Sequence, residues 1–196
     1  MAEDTLKQLS QKLCDLGVSD AKAIPSKSIV VEDRFAEMCA SPQCSGYGLA
    51  PSCPPYVMKP SEFRELLSEY ENAIVFKIDA PTSVLMSDNR RDIARLIHEM
   101  SSGIERLANE WGYTRSKGLA AGSCKMIFCH EQARCAVLEG DGKCLYPDSA
   151  RPSISGLGVN FLELCNVVGW QVDIITSETD PNDVPMGMLA GIVLVA

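Results

Sequence analysis

Seven of the nine cysteines lie in two long stretches of the chain that show neither helix nor strand periodicity. The first stretch covers residues 39–60 and the second covers residues 122–153. Irregular segments of this length inside a compact domain are usually functional. The remaining cysteines, Cys14 and Cys165, lie within helix patterns, and we expect them to be small buried hydrophobes rather than ligands. The fold must therefore carry two irregular cysteine-rich segments on a regular frame.

That frame alternates between helix and strand patterns. The clearest helix pattern runs over 88–111, with Ser87 as its N-cap, and others cover 4–17, the segment opened by Pro60, and 159–168. Short apolar runs predict strands at 21–24, 28–31, 73–78, 114–120, 171–176 and 189–195. This alternation favours one α/β domain over residues 1–196, a sandwich in which a mixed sheet is flanked by helices and carries two cysteine-rich metal loops at one end.

Composition restricts the partners and the compartment. With 18 basic and 26 acidic side chains the formal charge is −8, which repels phosphate backbones and argues against nucleic-acid binding. No apolar run approaches the roughly 20 residues that a membrane-spanning helix needs, and the acidic start at Met1–Asp4 does not resemble a signal peptide. We therefore expect a cytoplasmic protein, in which clustered cysteines bind metal or perform redox chemistry.

The first cysteine set has the spacing Cys39-x4-Cys44-x8-Cys53. Glycines in this loop let backbone amides approach a sulfur-rich cluster, and prolines reduce the entropy that the loop loses on binding. Three thiolates would leave one iron of a four-iron cluster open to water, to a substrate or to a borrowed ligand.

The second set is Cys124-x4-Cys129-x5-Cys135-x8-Cys144. These four soft thiolates can hold one cluster by themselves, and a turn at residues 140–142 would bring Cys144 back to the others. Zinc is the alternative metal, because structural zinc sites favour cysteine pairs two to four residues apart. The x4 gaps reach that limit, whereas the x5 and x8 gaps exceed it.

Three segments of the chain carry a family resemblance: CSGYGLAPSCPP at 44–55, the cysteine cluster at 123–144, and CLYPDSARPSISGLG at 144–158. In this order they resemble the cysteine-rich family of predicted metal-binding proteins of unknown function, over residues 30–176. The resemblance implies iron–sulfur chemistry and no particular reaction. The residues at the family's cysteine positions, and hence the implied ligands, are Cys39, Cys44, Cys53, Cys124, Cys129, Cys135 and Cys144.

Three other residues near these motifs have competing interpretations. His98 and His130 are expected to be exposed, with His130 a possible ligand or proton donor because it follows Cys129. Arg151 would neutralise a cluster, steady a bound anion, or simply pair with Asp148.

Together these observations favour an iron–sulfur protein with one or two 4Fe-4S clusters that exchanges electrons with a redox protein partner. One alternative is an enzyme whose three-cysteine cluster uses an open iron as a Lewis acid or sulfur acceptor. The other is a zinc-stabilised structural module. The sequence decides neither whether the protein is an enzyme nor its oligomeric state.

Overall fold

The computed structural model describes residues 2–140 and 142–196. Within these residues the chain forms four strands, seven α-helices and one 3₁₀ turn. In chain order the helices and strands are α1 (Ala2–Asp15), β1 (Asp20–Pro25), α2 (Asp33–Glu37), α3 (Pro60–Leu67), β2 (Asn72–Pro81), α4 (Thr82–Leu85), α5 (Arg90–Glu110), β3 (Ser116–Leu119), α6 (Cys124–Phe128), α7 (Phe161–Val168) and β4 (Met186–Val195). The predicted α/β class is confirmed.

The strands form one sheet in the order β1-β2-β4-β3, and all three pairings are antiparallel. The prediction of a mixed sheet is therefore wrong. Strands β2 and β3, joined through α5, do run in the same direction, because each is antiparallel to β4. The C-terminal strand β4 lies between them, so the unit is a split strand–helix–strand arrangement without neighbouring parallel strands.

Alternating side chains along the central strands produce two cores, one on each face of the sheet. On one face, Ile74 and Phe76 of β2 pack against the apolar sides of α1 and α5. On the opposite face, Ala73 and Val75 pack against α3 and α7. Helices therefore cover both faces of the sheet, as the sequence predicted.

The strand predicted at residues 28–31 is wrong. The chain leaves the sheet at Pro25 through the 3₁₀ turn Ser26–Ser28, and Val31 makes only an isolated antiparallel bridge to Val159. The backbone here is irregular, but the side chains of Ile29 and Val31 pack into the core. Their spacing therefore resembles that of a strand.

The strand predicted at residues 171–176 is also wrong. These residues have no regular structure. Val172 packs against the core on the α3 and α7 face, and Ile175 lies over Gly187 of β4. Here too, the apolar residues pack against the sheet without being part of it, and this contact explains the apolar pattern.

Helix α5 confirms the long helix pattern, but Ser87 is not its N-cap. The capping position belongs to Asn89, whose side chain makes no capping hydrogen bond. Ser87 instead accepts a hydrogen bond from the Asn89 N–H at 3.2 Å, one turn before the helix begins.

Both cysteine-rich segments lie at the end of the sheet where β2 and β3 finish and β4 begins. Ala94 near the start of α5, Ala121 after β3 and Leu189 of β4 form part of the wall there. In the part of the chain that the structure describes, no helix has the length and apolarity that crossing a bilayer requires.

Candidate metal centre

The first cysteine set lies on a loop between α2 and α3 that turns back on itself. The Cys44 N–H donates to the carbonyl of Cys39 at 2.9 Å. Gly48, at a φ of 73°, takes a conformation that favours glycine, and its N–H donates to the carbonyl of Pro54 at 2.8 Å. These turns bring Cys53 back towards the other two, and the three thiols line a cavity of about 350 Å³, here named the three-cysteine cavity.

The second set starts on α6. Cys124 is the first residue of this helix and Cys129 follows its last residue, whereas Cys135 and Cys144 come from the irregular chain beyond. All four line a second cavity of about 420 Å³, here named the four-cysteine cavity. The turn predicted at residues 140–142 includes Asp141, which lies outside the described residues.

Each cysteine that the sequence singled out thus lies in one of two cavities, yet the sulfurs do not form a closed cage. Among the described residues, no three His, Cys, Asp or Glu side chains are close enough together to hold a single metal ion. All nine cysteines are free thiols. The assignment of the seven as metal ligands remains a prediction.

The two cysteines outside these cavities behave as hydrophobic side chains. Cys165 on α7 is completely buried in the core on the α3 and α7 face, and Cys14 on α1 packs, half-buried, against the opposite core. Neither lines a cysteine cavity.

The two irregular segments meet at Ser52, a buried serine that precedes Cys53. Its hydroxyl accepts a hydrogen bond from the Cys124 N–H at 3.2 Å and donates towards the Cys53 sulfur at 3.8 Å. Its carbonyl accepts a hydrogen bond from the Ser153 N–H at 2.9 Å. One residue therefore joins the first loop to both ends of the second segment, and the two cavities are neighbours.

A second close contact joins the segments at Gly46 and Ser123. A Cβ atom on Gly46 would lie 2.7 Å from the Cβ of Ser123, so only glycine permits this approach. The buried Ser123 hydroxyl has no hydrogen-bond partner among the described residues, although it lies close enough to Cys53 to lower the pKa of that thiol. An unpaired buried hydroxyl is costly, and a metal-bound thiolate at Cys53 would accept its proton in a hydrogen bond.

The thiols themselves are electrostatically coupled. Burial raises the pKa of Cys53, and it raises the pKa of Cys124 to about 11. The neighbouring sulfur of Cys53, together with those of Cys144 and Cys135, contributes to the raised pKa of Cys124, so this coupling crosses from one cavity to the other. At neutral pH the metal-free thiols of Cys53 and Cys124 are therefore protonated, and metal binding by these two residues must release protons.

The walls of both cavities are basic although the whole chain has a net charge of −8. The described residues that line the two cavities include one carboxylate, Asp88, and five cationic side chains: Arg90, Arg91, Lys125, Arg134 and Arg151. Arg134 and Arg151 are each paired with a glutamate, so among the described residues Arg90, Arg91 and Lys125 are the cations left to offset the negative charge of a thiolate-bound metal cluster. The donor set and its surroundings therefore fit an anionic metal–thiolate group.

Lys125 is a buried lysine that sequence reasoning missed. Its ammonium group donates hydrogen bonds to the carbonyls of Cys129 and Gln132, both at 2.7 Å, and so fixes the turn that follows α6. The position of this lysine beside the apolar run 126–128 was a weak signal of burial.

One of the three interpretations of Arg151, a local ion pair with Asp148, is wrong. The Arg151 Nε donates to Glu105 Oε2 on α5 at 2.8 Å, and Nη1 donates to the carbonyls of Pro147 and Ala150. The guanidinium therefore fastens the ARPS stretch to α5 beside the four-cysteine cavity. A tertiary contact between residues 46 positions apart replaces the expected local pair.

His98 was predicted to be exposed, but it is completely buried. Its Nδ1 accepts a hydrogen bond from the Arg151 N–H at 3.0 Å, and its ring packs edge-on against Phe128, with centroids 5.4 Å apart. Burial lowers the pKa of His98 to about 4, so the ring is neutral at neutral pH. The helix pattern placed His98 on an exposed face because it does not show that α6, through Phe128, covers this side of α5. His130 is exposed, as expected, and lines the three-cysteine cavity.

Comparison with known proteins bears on the same residues. No curated protein and no solved structure matches the chain. One family model, described as "Predicted metal-binding protein (DUF2284)", matches residues 22–195, a range that includes every cysteine of the two cavities. Because this match covers most of the sequence, the resemblance seen in the motifs is confirmed. The chain belongs to this family of predicted metal-binding proteins.

Proposed function

We propose that the protein is an iron–sulfur protein of the cytoplasm that carries one or two 4Fe-4S clusters and exchanges electrons with a redox protein partner. The observation that carries the proposal is the sorting of seven cysteines into two neighbouring cavities, one with four thiols and one with three. Four thiolates are the usual ligand set of a closed 4Fe-4S cluster. The membership of a metal-binding family supports the proposal at a coarser level.

Hydrogen-bond donors to sulfur give further support. Backbone N–H groups donate towards the Cys44 sulfur at 3.5 Å and the Cys144 sulfur at 3.4 Å, and two buried serines lie beside Cys53. Such donors stabilise a cluster in its more negative, reduced state and so raise its reduction potential. A bound cluster would supply one-electron storage at these positions.

The boundary between the cavities supports electron exchange. Ser52 connects Cys53 of one cavity to Cys124 of the other through a covalent bond and a hydrogen bond. The three-cysteine cavity also has an exposed thiol, Cys44, so a redox partner would have access to this side of the molecule. We infer that electrons enter or leave here.

The same cavity favours a second candidate function. Three thiols complete only three of the four corners of a 4Fe-4S cluster, and the exposed side at Cys44 leaves room for a small molecule. The alternative is therefore an enzyme in which the fourth corner acts on a substrate as a Lewis acid or sulfur acceptor. A response of the cluster's EPR spectrum to substrate analogues would favour this function over simple electron transfer.

The deciding experiment is anaerobic purification followed by counts of iron, zinc and acid-labile sulfide. We expect visible absorbance that dithionite bleaches, and about four iron atoms per cluster. Cys53→Ala and Cys135→Ala should each lose the iron of one cavity, because each removes a thiol from a different set. Cys165→Ala is the matched control and should keep all of it, since Cys165 is a core residue.

Two results would contradict the proposal. Stoichiometric zinc without sulfide in anaerobically prepared protein would identify the zinc-stabilised module instead. Unchanged iron in Cys53→Ala would remove Cys53 from the ligand set.

A further inference from the structure

Two arginines at the start of α5 open into the three-cysteine cavity. Arg90 and Arg91 line it, and within the described residues neither guanidinium forms an ion pair or a hydrogen bond. Every other arginine of the chain has a partner: Arg34, Arg64, Arg95, Arg106, Arg115, Arg134 and Arg151. Two unpaired guanidinium groups thus lie at one cavity.

The backbone at this position adds to the positive potential. Helix α5 has 21 residues, and its first N–H groups, those of Arg90, Arg91 and Asp92, donate to carbonyls of the preceding turn, so the helix end contributes through its dipole alone. The N-terminus of a long helix carries a partial positive charge and attracts anions. Asp88 lines the same cavity and opposes this potential, and Asp92 in the first turn of α5 also opposes it, although Asp92 does not line the cavity.

A third contribution comes from the opposite wall. Ser123 is only 7% exposed, lines the cavity, and has no hydrogen-bond partner for its hydroxyl among the described residues. It belongs to a segment separate from α5, so donors converge on the cavity from two sides. A buried hydroxyl without an acceptor indicates a group that the protein is built to receive, and either an anion in this cavity or a thiolate at the neighbouring Cys53 would supply that acceptor.

We propose that the three-cysteine cavity binds a small anionic molecule, with a carboxylate or phosphate group held by Arg90 and Arg91 next to the three thiols. Planar guanidinium groups match the oxygens of either anion in bidentate fashion. The volume of about 350 Å³ suits a small ligand rather than a macromolecule. This inference rests on the proposed function, since it names the substrate class of the site where three cysteines leave one corner of a cluster free.

The test is calorimetric titration of the anaerobically purified, iron-loaded protein with inorganic phosphate and, separately, with malonate. We expect saturable binding of at least one probe, weakened at least tenfold in the double variant Arg90→Gln/Arg91→Gln. The matched control is Lys12→Gln/Lys143→Gln, which removes the same charge from two exposed positions outside the cavity and should bind as the unmodified protein does. A change in the EPR spectrum with malonate but not with phosphate would show that the carboxylate reaches the iron.

Iron and sulfide counts on every variant separate the two proposals. Absence of binding by both probes, or equal weakening in the control, overturns the anion site while normal iron content leaves the iron–sulfur function standing. If the protein contains no iron, the same titrations on the protein as purified still decide the anion site, because Arg90 and Arg91 are not metal ligands. Arginine-dependent binding then supports the site, and its absence rejects it.

Discussion

Four buried polar side chains surround the cysteine cavities: Ser52, Ser123, Lys125 and His98. Three of them have specific hydrogen-bond partners, and the fourth, Ser123, faces a thiol. Burying a polar group costs free energy unless the group is hydrogen-bonded. Such residues therefore favour the one arrangement of the surrounding loops that supplies their partners. At the scale of single residues, the geometry of the site depends on these groups as well as on the cysteines.

His98 should make the stability of the protein depend on pH. Its pKa is about 4 in the folded chain against 6.5 for an ordinary histidine, so the unfolded chain binds the proton more readily. The stabilisation by neutral His98 is therefore complete above pH 6.5 and is lost as the pH falls towards 4, a difference of about 3 kcal/mol. Urea denaturation between pH 4 and 7 measures it.

His98→Gln should flatten this dependence, whereas the control His130→Gln, which removes the other histidine of the chain, should leave it unchanged. An equally steep fall in stability in His98→Gln would mean that other groups cause the pH dependence.

At the scale of elements, α6 shows how a very short helix positions two cysteines. Cys124 and Cys129 lie at its two ends, and the Cys129 N–H donates to the carbonyl of Lys125 at 3.1 Å. A five-residue helix is not stable alone, because its first turn costs more entropy than its few hydrogen bonds return. Packing of Ile127 and Phe128 against Ala94 of α5 holds it in place.

Lys125→Met should loosen the chain that follows α6. The substitution keeps the length of the side chain but leaves the carbonyls of Cys129 and Gln132 without their donor, so we expect a loss of about 1–3 kcal/mol in the free energy of unfolding. Hydrogen exchange over residues 129–135 should accelerate. Lys143→Met, which removes an exposed charge from the same segment, is the control. Equal behaviour of the two variants would show that the buried ammonium group contributes nothing.

At the scale of the whole molecule, the sheet brings together segments that are far apart in the chain. Pro81 at the end of β2 pairs with Met186 at the start of β4, and β3 ends beside the same strand. This pairing places both irregular segments at the same end of the sheet. Ser52 then completes their contact, since its hydroxyl and carbonyl bond to Cys124 and Ser153.

Ser52→Ala should therefore weaken the contact between the two cysteine segments. The variant leaves the partly buried Cys124 N–H without an acceptor, which should lower the free energy of unfolding by about 1–3 kcal/mol. Exchange of the Cys124 amide proton should become faster. Ser155→Ala changes an exposed serine at the three-cysteine cavity and serves as the control. If Ser52→Ala is as stable as this control, the segments are held together by other contacts.

The sequence by itself determined the elements that have their own periodicity and the division of the cysteines into two sets. Helix α5, strand β2 and strand β4 each show by the apolar spacing of their own residues that they form a helix or a strand, and the cysteines of one set are close in the chain. Local spacing is sufficient for such features, because each is specified within one segment.

Only the tertiary structure decided that β4 lies between β2 and β3, that Arg151 pairs with Glu105, and that His98 is buried. Only the tertiary structure also placed Arg90, at the start of α5, beside the first cysteine set. Each of these features joins residues from distant parts of the chain. Periodicity reports which face of a segment is apolar, but it does not report which other segment will cover that face.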